Sequence, residues 1–285
     1  MSKKKGSMFR CLNPGAVGIS VPYPEAVKLA SATGFEGIDV YVGPDFTPKQ
    51  VKEMVEGNGL RIGGCGLPVD FRTPDETKFQ ESLANGREVV KAAVEAGCTR
   101  FPTWILPFSD SLDFKENFRF HTRRLGACAR MIEEFGGRIG LEFIGPKTML
   151  KGRKYEFCRT IEEMIWLCRA VGQNAGLLLD SWHWYTAHHT VADIEQLDNR
   201  DVVYVHINDA PAGVPVDEQI DNVRRLPGET GVIDLVGFLK ALKKIGYDGP
   251  VVPEPFVPKL SQLKPEEAAR LVMAGLDKVW KQAGV

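Results

Sequence analysis

The sequence predicts a single α/β domain, a closed (β/α)8 barrel, and three observations carry that prediction. Short apolar runs alternate with longer amphipathic ones from end to end, the alternation repeats eight times, and no shift in composition marks a linker. Repeated βα units imply parallel strands covered by helices, and eight of them close most naturally into a cylinder. The competing architecture, a doubly wound open sheet, usually binds its ligand through a G-x-G-x-x-G turn after the first strand. No such turn follows the first strand here.

The elements follow in order. Residues 9–12 form the first strand, and the helix after it, 24–33, stops at Gly34. Residues 37–41 are strand two, and Thr47-Pro48 opens a helix with a capping hydroxyl and a proline at the first helical position. Strand three spans 60–66, and Thr73-Pro74 opens a long helix that ends near Gly97. Strand four covers 99–106, followed by a helix over 113–135 closed by Gly136-Gly137. Strand five (138–143) precedes a helix at 160–171, and strand six is the nearly pure apolar run 175–180. A short helix at 193–197, strand seven at 201–207, a helix at 234–245, strand eight at 250–254 and a helix at 265–282 complete the set. The barrel is thus expected to occupy 9–285, behind a flexible tail at 1–8 that contains Lys3-Lys4-Lys5.

Composition excludes several function classes. Of 285 residues, 44% are hydrophobic and 26% charged, an ordinary globular balance. With 36 basic against 37 acidic residues the net charge is −1, which argues against a nucleic-acid partner held through phosphates. No run approaches the ~20 apolar residues that span a bilayer, and no apolar segment follows the N-terminal charges. The six cysteines lack CxxC spacing, which favours reduced thiols and a cytoplasmic setting.

In a barrel of this kind chemistry gathers at the C-terminal ends of the strands. Strand five runs Gly140-Leu141-Glu142, strand six ends Leu179-Asp180, strand seven carries Val205-His206, and strand eight ends Pro253-Glu254. Four consecutive strands therefore finish in a carboxylate or an imidazole behind apolar residues. Carboxylates converging there would repel one another and resist ionisation unless a cation sits among them. The set Glu142, Asp180, His206 and Glu254 suits one divalent ion, Mn²⁺, Mg²⁺, Co²⁺ or Zn²⁺.

Other residues belong to the same neighbourhood. His183, three residues past Asp180, is a further ligand or a donor to a substrate oxygen. Arg224 and Arg225 precede the rigid Pro227-Gly228 turn, which can hold a guanidinium fork over the pocket. Lys147 is a weaker candidate for that role, and Trp104, Trp182 and Phe256 are placed to wall the cavity. His121, in mid-helix, is expected to be structural, and His188-His189 to lie in a solvated loop.

Together these residues resemble the xylose isomerase-like TIM-barrel superfamily. The resemblance rests on Glu142, Asp180-x-x-His183, His206 with Asp209, the Arg-x-x-Pro-Gly turn from Arg224, and Pro253-Glu254-Pro255. It is closest to the sugar phosphate isomerase/epimerase group, which includes ketose 3-epimerases and inosose isomerases. Asp180-Ser181-Trp182-His183-Trp184-Tyr185 looks most like the inosose isomerase pattern, and Gly-Pro-Lys-Thr after Glu142 departs from the usual turn. The resemblance implies one metal on Glu142, Asp180, His206 and Glu254, with Glu142 and Glu254 as the acid/base pair. It also implies substrate contacts from His183 and Arg224.

The expected activity is isomerisation or epimerisation of a keto-sugar or keto-inositol, by proton transfer through a metal-stabilised enediolate. Dehydration of a keto-inositol and a non-catalytic sugar-binding barrel are the alternatives. An endonuclease IV-like repair enzyme is disfavoured, because strands one to four contain no histidine. The expected partner is a small sugar or cyclitol, and exposed barrel faces suit a homo-oligomer.

Overall fold

Every apolar run becomes a strand of one parallel sheet in the computed structural model, which describes residues 6–285. The strands are β1 (Phe9–Leu12), β2 (Gly37–Ile38), β3 (Arg61–Ile62), β4 (Arg100–Ile105), β5 (Arg138–Phe143), β6 (Ala175–Asp180), β7 (Val202–Ile207) and β8 (Pro250–Pro253). Paired neighbours run β3-β2-β1-β8-β7-β6-β5-β4. The remaining gap is bridged beyond the end of β3. There the Cys65 N–H donates to the Arg100 carbonyl at 3.0 Å and the Leu67 N–H to the Pro102 carbonyl at 2.9 Å. The chain therefore forms the eight-stave barrel the sequence predicts.

The expected second and third strands, 37–41 and 60–66, shorten to two residues each. Asp39 accounts for this: its buried carboxylate accepts the Gly64 N–H at 2.7 Å and the Tyr204 hydroxyl at 2.6 Å, in place of regular ladder bonds. The chain there stays in the wall but leaves the ladder.

Among the described residues the helices are α1 (Tyr23–Thr33), α2 (Pro48–Gly57), α3 (Glu76–Glu95), α4 (Phe114–Glu133), α5 (Ile161–Val171), α6 (Ser181–Thr186), α7 (Val191–Glu195), α8 (Leu235–Lys244) and α9 (Pro265–Ala283). Thr47 caps α2 and Asp113 caps α4, each with a reciprocal capping box. The helix expected from Thr73-Pro74 starts later, because Asp75 accepts the Thr77 and Lys78 N–H groups and takes the cap. Helix α4 buries Leu125, Cys128, Ala129 and Ile132, the spacing of one helical face turned to the sheet. Helix α6 and an antiparallel ribbon pairing Phe108–Ser109 with Tyr155–Glu156 lie outside the sequence prediction. No described helix is long and apolar enough to cross a membrane.

Residues 1–5 of the expected tail lie outside the described residues. At its other end, Met8 corrects the expectation by packing into the core at 7% exposure.

Strand β6 and strand β7 are buried at every position, as parallel strands covered on both faces must be. Inside the cylinder Phe9, Cys11, Leu178, Tyr204 and Val252 form a compact apolar plug. Side chains on one face of a strand recur every second residue. Asp180, His206 and Glu254, two residues beyond Leu178, Tyr204 and Val252, therefore stand one layer above that plug, at the mouth.

His121 is buried in α4, its Nδ1 2.9 Å from the Asn117 carbonyl, and its ring packs against Phe71, Phe120 and Phe157. Burial pushes its pKa down to about 4. A histidine kept neutral in the fold but basic when unfolded stabilises above its unfolded pKa, and loses that contribution as pH falls toward the folded value. We expect roughly 3 kcal/mol of stability to be lost between about pH 6.5 and 4. In urea titrations across that range, His121→Phe should flatten this part of the profile.

Candidate metal centre and active site

The four strand-end residues of the sequence prediction meet. One ligand atom from each of Glu142, Asp180, His206 and Glu254 lies within 4.8 Å of the others. Glu142 is the fifth residue of β5, Asp180 ends β6, His206 is the fifth residue of β7, and Glu254 follows β8 directly. Register sets Asp180 beside His206 across β6 and β7, and places Glu254 two residues beyond Val252, the β8 partner of His206.

His206 lies at the centre. Its Nδ1 is 3.2 Å from Glu254 Oε2 and 3.4 Å from Glu142 Oε1, with hydrogen-bond geometry to neither. Glu142 Oε1 and His206 Nδ1 are accordingly buried polar atoms without a partner. Two lone-pair donors left unpaired and converging are what a bound cation would satisfy. Charge agrees with geometry. Burial raises the Glu142 pKa to about 7, with Asp180 and Glu254 adding to the rise against His206. Burial also opposes charge on Glu254, but His206 and Arg224 outweigh it and hold that carboxyl below its ordinary range. The residues present therefore fit a single divalent ion.

Asp180 is the most constrained of the four. Its Oδ1 accepts the Trp182 N–H at 2.7 Å, capping α6, and the Asn208 amide at 3.1 Å. Its Oδ2 accepts Arg224 at 2.7 Å. The same Arg224 Nη1 lies 3.2 Å from Glu254 Oε2, and Nη2 lies 3.1 Å from Asp221 Oδ1 and from His183 Nε2. Burial would depress this guanidinium, but Asp180, Glu254 and Asp221 keep it charged.

Asp209 fixes the segment that follows Arg224. Its carboxylate accepts the N–H groups of Ala210, Thr230, Gly231 and Ile233 at 2.7–3.0 Å, and its backbone bridges to Arg225. The turn the sequence marks at Pro227-Gly228 is pinned from inside the barrel.

His183 is neutral, its pKa pushed down to about 3 by burial. Its Nδ1 lies 3.1 Å from the Gly145 backbone nitrogen and its Nε2 lies 3.1 Å from Arg224 Nη2, so both ring nitrogens face donors. Arg224 and this imidazole stand together in the wall of one cavity.

Glu142, His183, Arg224, Glu254, Trp104 and Phe256 line one cavity of about 430 Å³, as the sequence suggested for these residues. Lys147 does not. Its exposed ammonium pairs with Asp217 at 2.6 Å, and Asp217 also takes His188 at 2.5 Å, so Asp217 ties the segments of Lys147 and His188 to its own. His189 is not solvated either: it is mostly buried, and its Nε2 accepts the Ile161 N–H at 2.9 Å. Trp182 is wholly buried rather than a wall.

Sequence reasoning missed Asp221 and Asn222 in the cavity lining and Asn208 behind Asp180. Asp221 lies three residues before Arg224, a spacing that could have flagged it. Asn208 lies two residues past His206, on the same face. The left-handed backbones of Asn222 and Phe256, at φ 64° and 45°, place strain at this cavity's edge.

A Mn²⁺ titration followed by calorimetry checks the centre. The wild-type protein should bind one equivalent, and Glu142→Gln or His206→Asn should weaken binding at least ~10-fold while leaving the far-UV circular dichroism unchanged. Equal affinity in all three proteins would remove the cluster from metal binding.

The family model described as xylose isomerase-like TIM barrel matches residues 27–279. An inosose isomerase of Bacillus velezensis is 27% identical over 274 residues, covering 92% of this chain and 94% of that protein. A 3-dehydroshikimate dehydratase of Pseudomonas putida is 26% identical over 249 residues, covering 84% of this chain but 37% of that longer protein. A solved xylose isomerase domain protein from Alicyclobacillus acidocaldarius superposes with a TM-score of 0.85 at 29% identity, covering 98% of this chain and all of that one. On fold, site geometry and the match across most of its length, the chain belongs to the xylose isomerase-like TIM barrel family.

Proposed function

We propose that the protein is a divalent-metal-dependent isomerase or epimerase acting on a keto-sugar or keto-inositol. The observation that carries this reading is the pair Glu142 and Glu254, flanking His206 and opening onto one cavity. An α-hydroxy ketone is too weak a carbon acid for a carboxylate acting alone. Held by Glu142, Asp180, His206 and Glu254, a divalent cation supplies the Lewis acidity that this deprotonation requires.

The chain's own residues do the rest. One of the two glutamates removes the proton from the carbon beside the ketone, and the same or the opposite glutamate returns one. Return to the other carbon gives an isomer, and return to the opposite face gives an epimer. Arg224 and His183 contact substrate oxygens, and Trp104 with Phe256 shields the reacting carbon from water. Likeness to an inosose isomerase along nearly the whole of both chains supports a keto-cyclitol as substrate.

Charge supports an unphosphorylated one. Arg224, the one basic residue in the lining apart from neutral His183, is already matched by Asp180, Glu254 and Asp221. The partial match to a dehydratase favours a second outcome of the same proton removal, loss of a β-hydroxyl as water.

Incubation of ketoses and inososes with the Mn²⁺-loaded protein in D₂O, followed by NMR, tests the reading. Deuterium should enter one carbon beside the ketone of a productive substrate, and chelation with EDTA should stop it. Glu142→Gln and Glu254→Gln should each lower turnover by roughly 10³-fold. Near-normal turnover of Glu254→Gln would remove it from the mechanism.

A further inference from the structure

The mouth of this barrel holds more space than one sugar ring uses. Besides the cavity over the metal cluster there is a second, of about 690 Å³, at the ends of β1, β2 and β3. Its walls are aromatic: Tyr23, Tyr41 and Phe46 line it, and the two tyrosine rings lie 5.6 Å apart. Among the described residues no lysine or arginine lines it, and its two carboxylates, Asp39 and Asp45, accept the hydroxyls of Tyr204 and Tyr41.

Two glycines open the way into it. A Cβ on Gly64 would meet the Tyr204 ring at 2.5 Å, so Gly64 is bare because that ring fills the barrel there. Gly66, two residues on and on the same face, would meet nothing within 4 Å. Both glycines line the second cavity. The Leu67 N–H bond to the Pro102 carbonyl puts Gly66 on the stave beside the one that carries Trp104, which lines the first cavity. Tyr204 links the two sites through the barrel interior: its hydroxyl bonds Asp39, a residue of the second cavity, and its ring lies edge-on to His206 of the strand-end cluster at 5.4 Å.

We infer that the second cavity binds an uncharged ring joined to the reacting keto-sugar or keto-cyclitol, a second sugar or an aromatic group, so that the preferred substrate is a glycoside or similar conjugate. Aromatic walls stack on the faces of such rings, and the absence of a basic group disfavours a phosphate or carboxylate there. The chemistry remains at Glu142 and Glu254, so this inference rests on the function proposed above.

The test compares 3-oxo-glucose with its phenyl β-glycoside as substrates for deuterium exchange, in wild-type protein, Tyr41→Ala and Gly66→Leu. The glycoside should show a kcat/KM at least ~10-fold above that of the bare keto-sugar. Both substitutions should abolish that advantage, chiefly through KM, and leave exchange of the bare keto-sugar unchanged. This unchanged exchange also certifies that the variants fold. Equal kcat/KM for the two substrates, insensitive to both substitutions, would overturn the inference and leave the proposed chemistry standing.

Absence of exchange with either compound would count against that chemistry instead. Saturation-transfer NMR with phenyl β-D-glucoside then decides the cavity by itself. Saturation of the phenyl protons in wild-type protein that is lost in Tyr41→Ala and in Gly66→Leu supports it, and no saturation in wild-type protein overturns it.

Discussion

Glu142, Asp180 and Glu254 crowd together at the mouth of the barrel, and their mutual repulsion is the constraint around which that face is organised. The fold answers it with positive or polar groups placed from several directions. His206 stands between two of the carboxylates, Arg224 bridges two, and Asn208 with the first turn of α6 takes up the remaining oxygen of Asp180. What is left over, one oxygen of Glu142 and one nitrogen of His206, is the unfilled valence of the site. Buried charge of this kind is a weak source of stability but a strong specifier of geometry. Each partner has one place where it can stand.

Much of this was legible in the sequence because strand geometry is simple. Four consecutive strand ends behind apolar residues were enough to bring Glu142, Asp180, His206 and Glu254 together, and the barrel rule said at which end. The helix cap at Thr47 was similarly local. Where prediction fell short, contacts distant in sequence decided. Strands β2 and β3 shortened because Asp39 bonds across to Tyr204, far along the chain. Lys147 turned outward because Asp217, on another loop, offered it a closer partner than the cavity did. Asp221 and Asn222 joined the lining only through the path of a loop whose course no periodicity describes.

The two halves of the barrel divide the work of recognition differently. Staves β5 to β8 supply carboxylates, imidazoles and the guanidinium. Staves β1 to β3 end in prolines, tyrosines and glycines, with Asp39 turned down into the interior. Proton chemistry needs fixed charge within a few ångströms of one carbon, whereas selection among neutral polyols needs shape and flat apolar surface. Gathering the strand-end cluster and Arg224 on one side leaves much of the other free to vary without disturbing them.

Asp209 carries one more implication. With four backbone donors clasped by a single carboxylate inside the wall, the chain returns to a fixed anchorage after its excursion through 210–223. Whatever that excursion does, Arg224 emerges from the same spot. Loops of other lengths could be spliced into this interval ahead of Asp221, giving protein engineers a modular insert through which to reshape the barrel mouth while Asp221, Arg224 and the strand-end cluster keep their places.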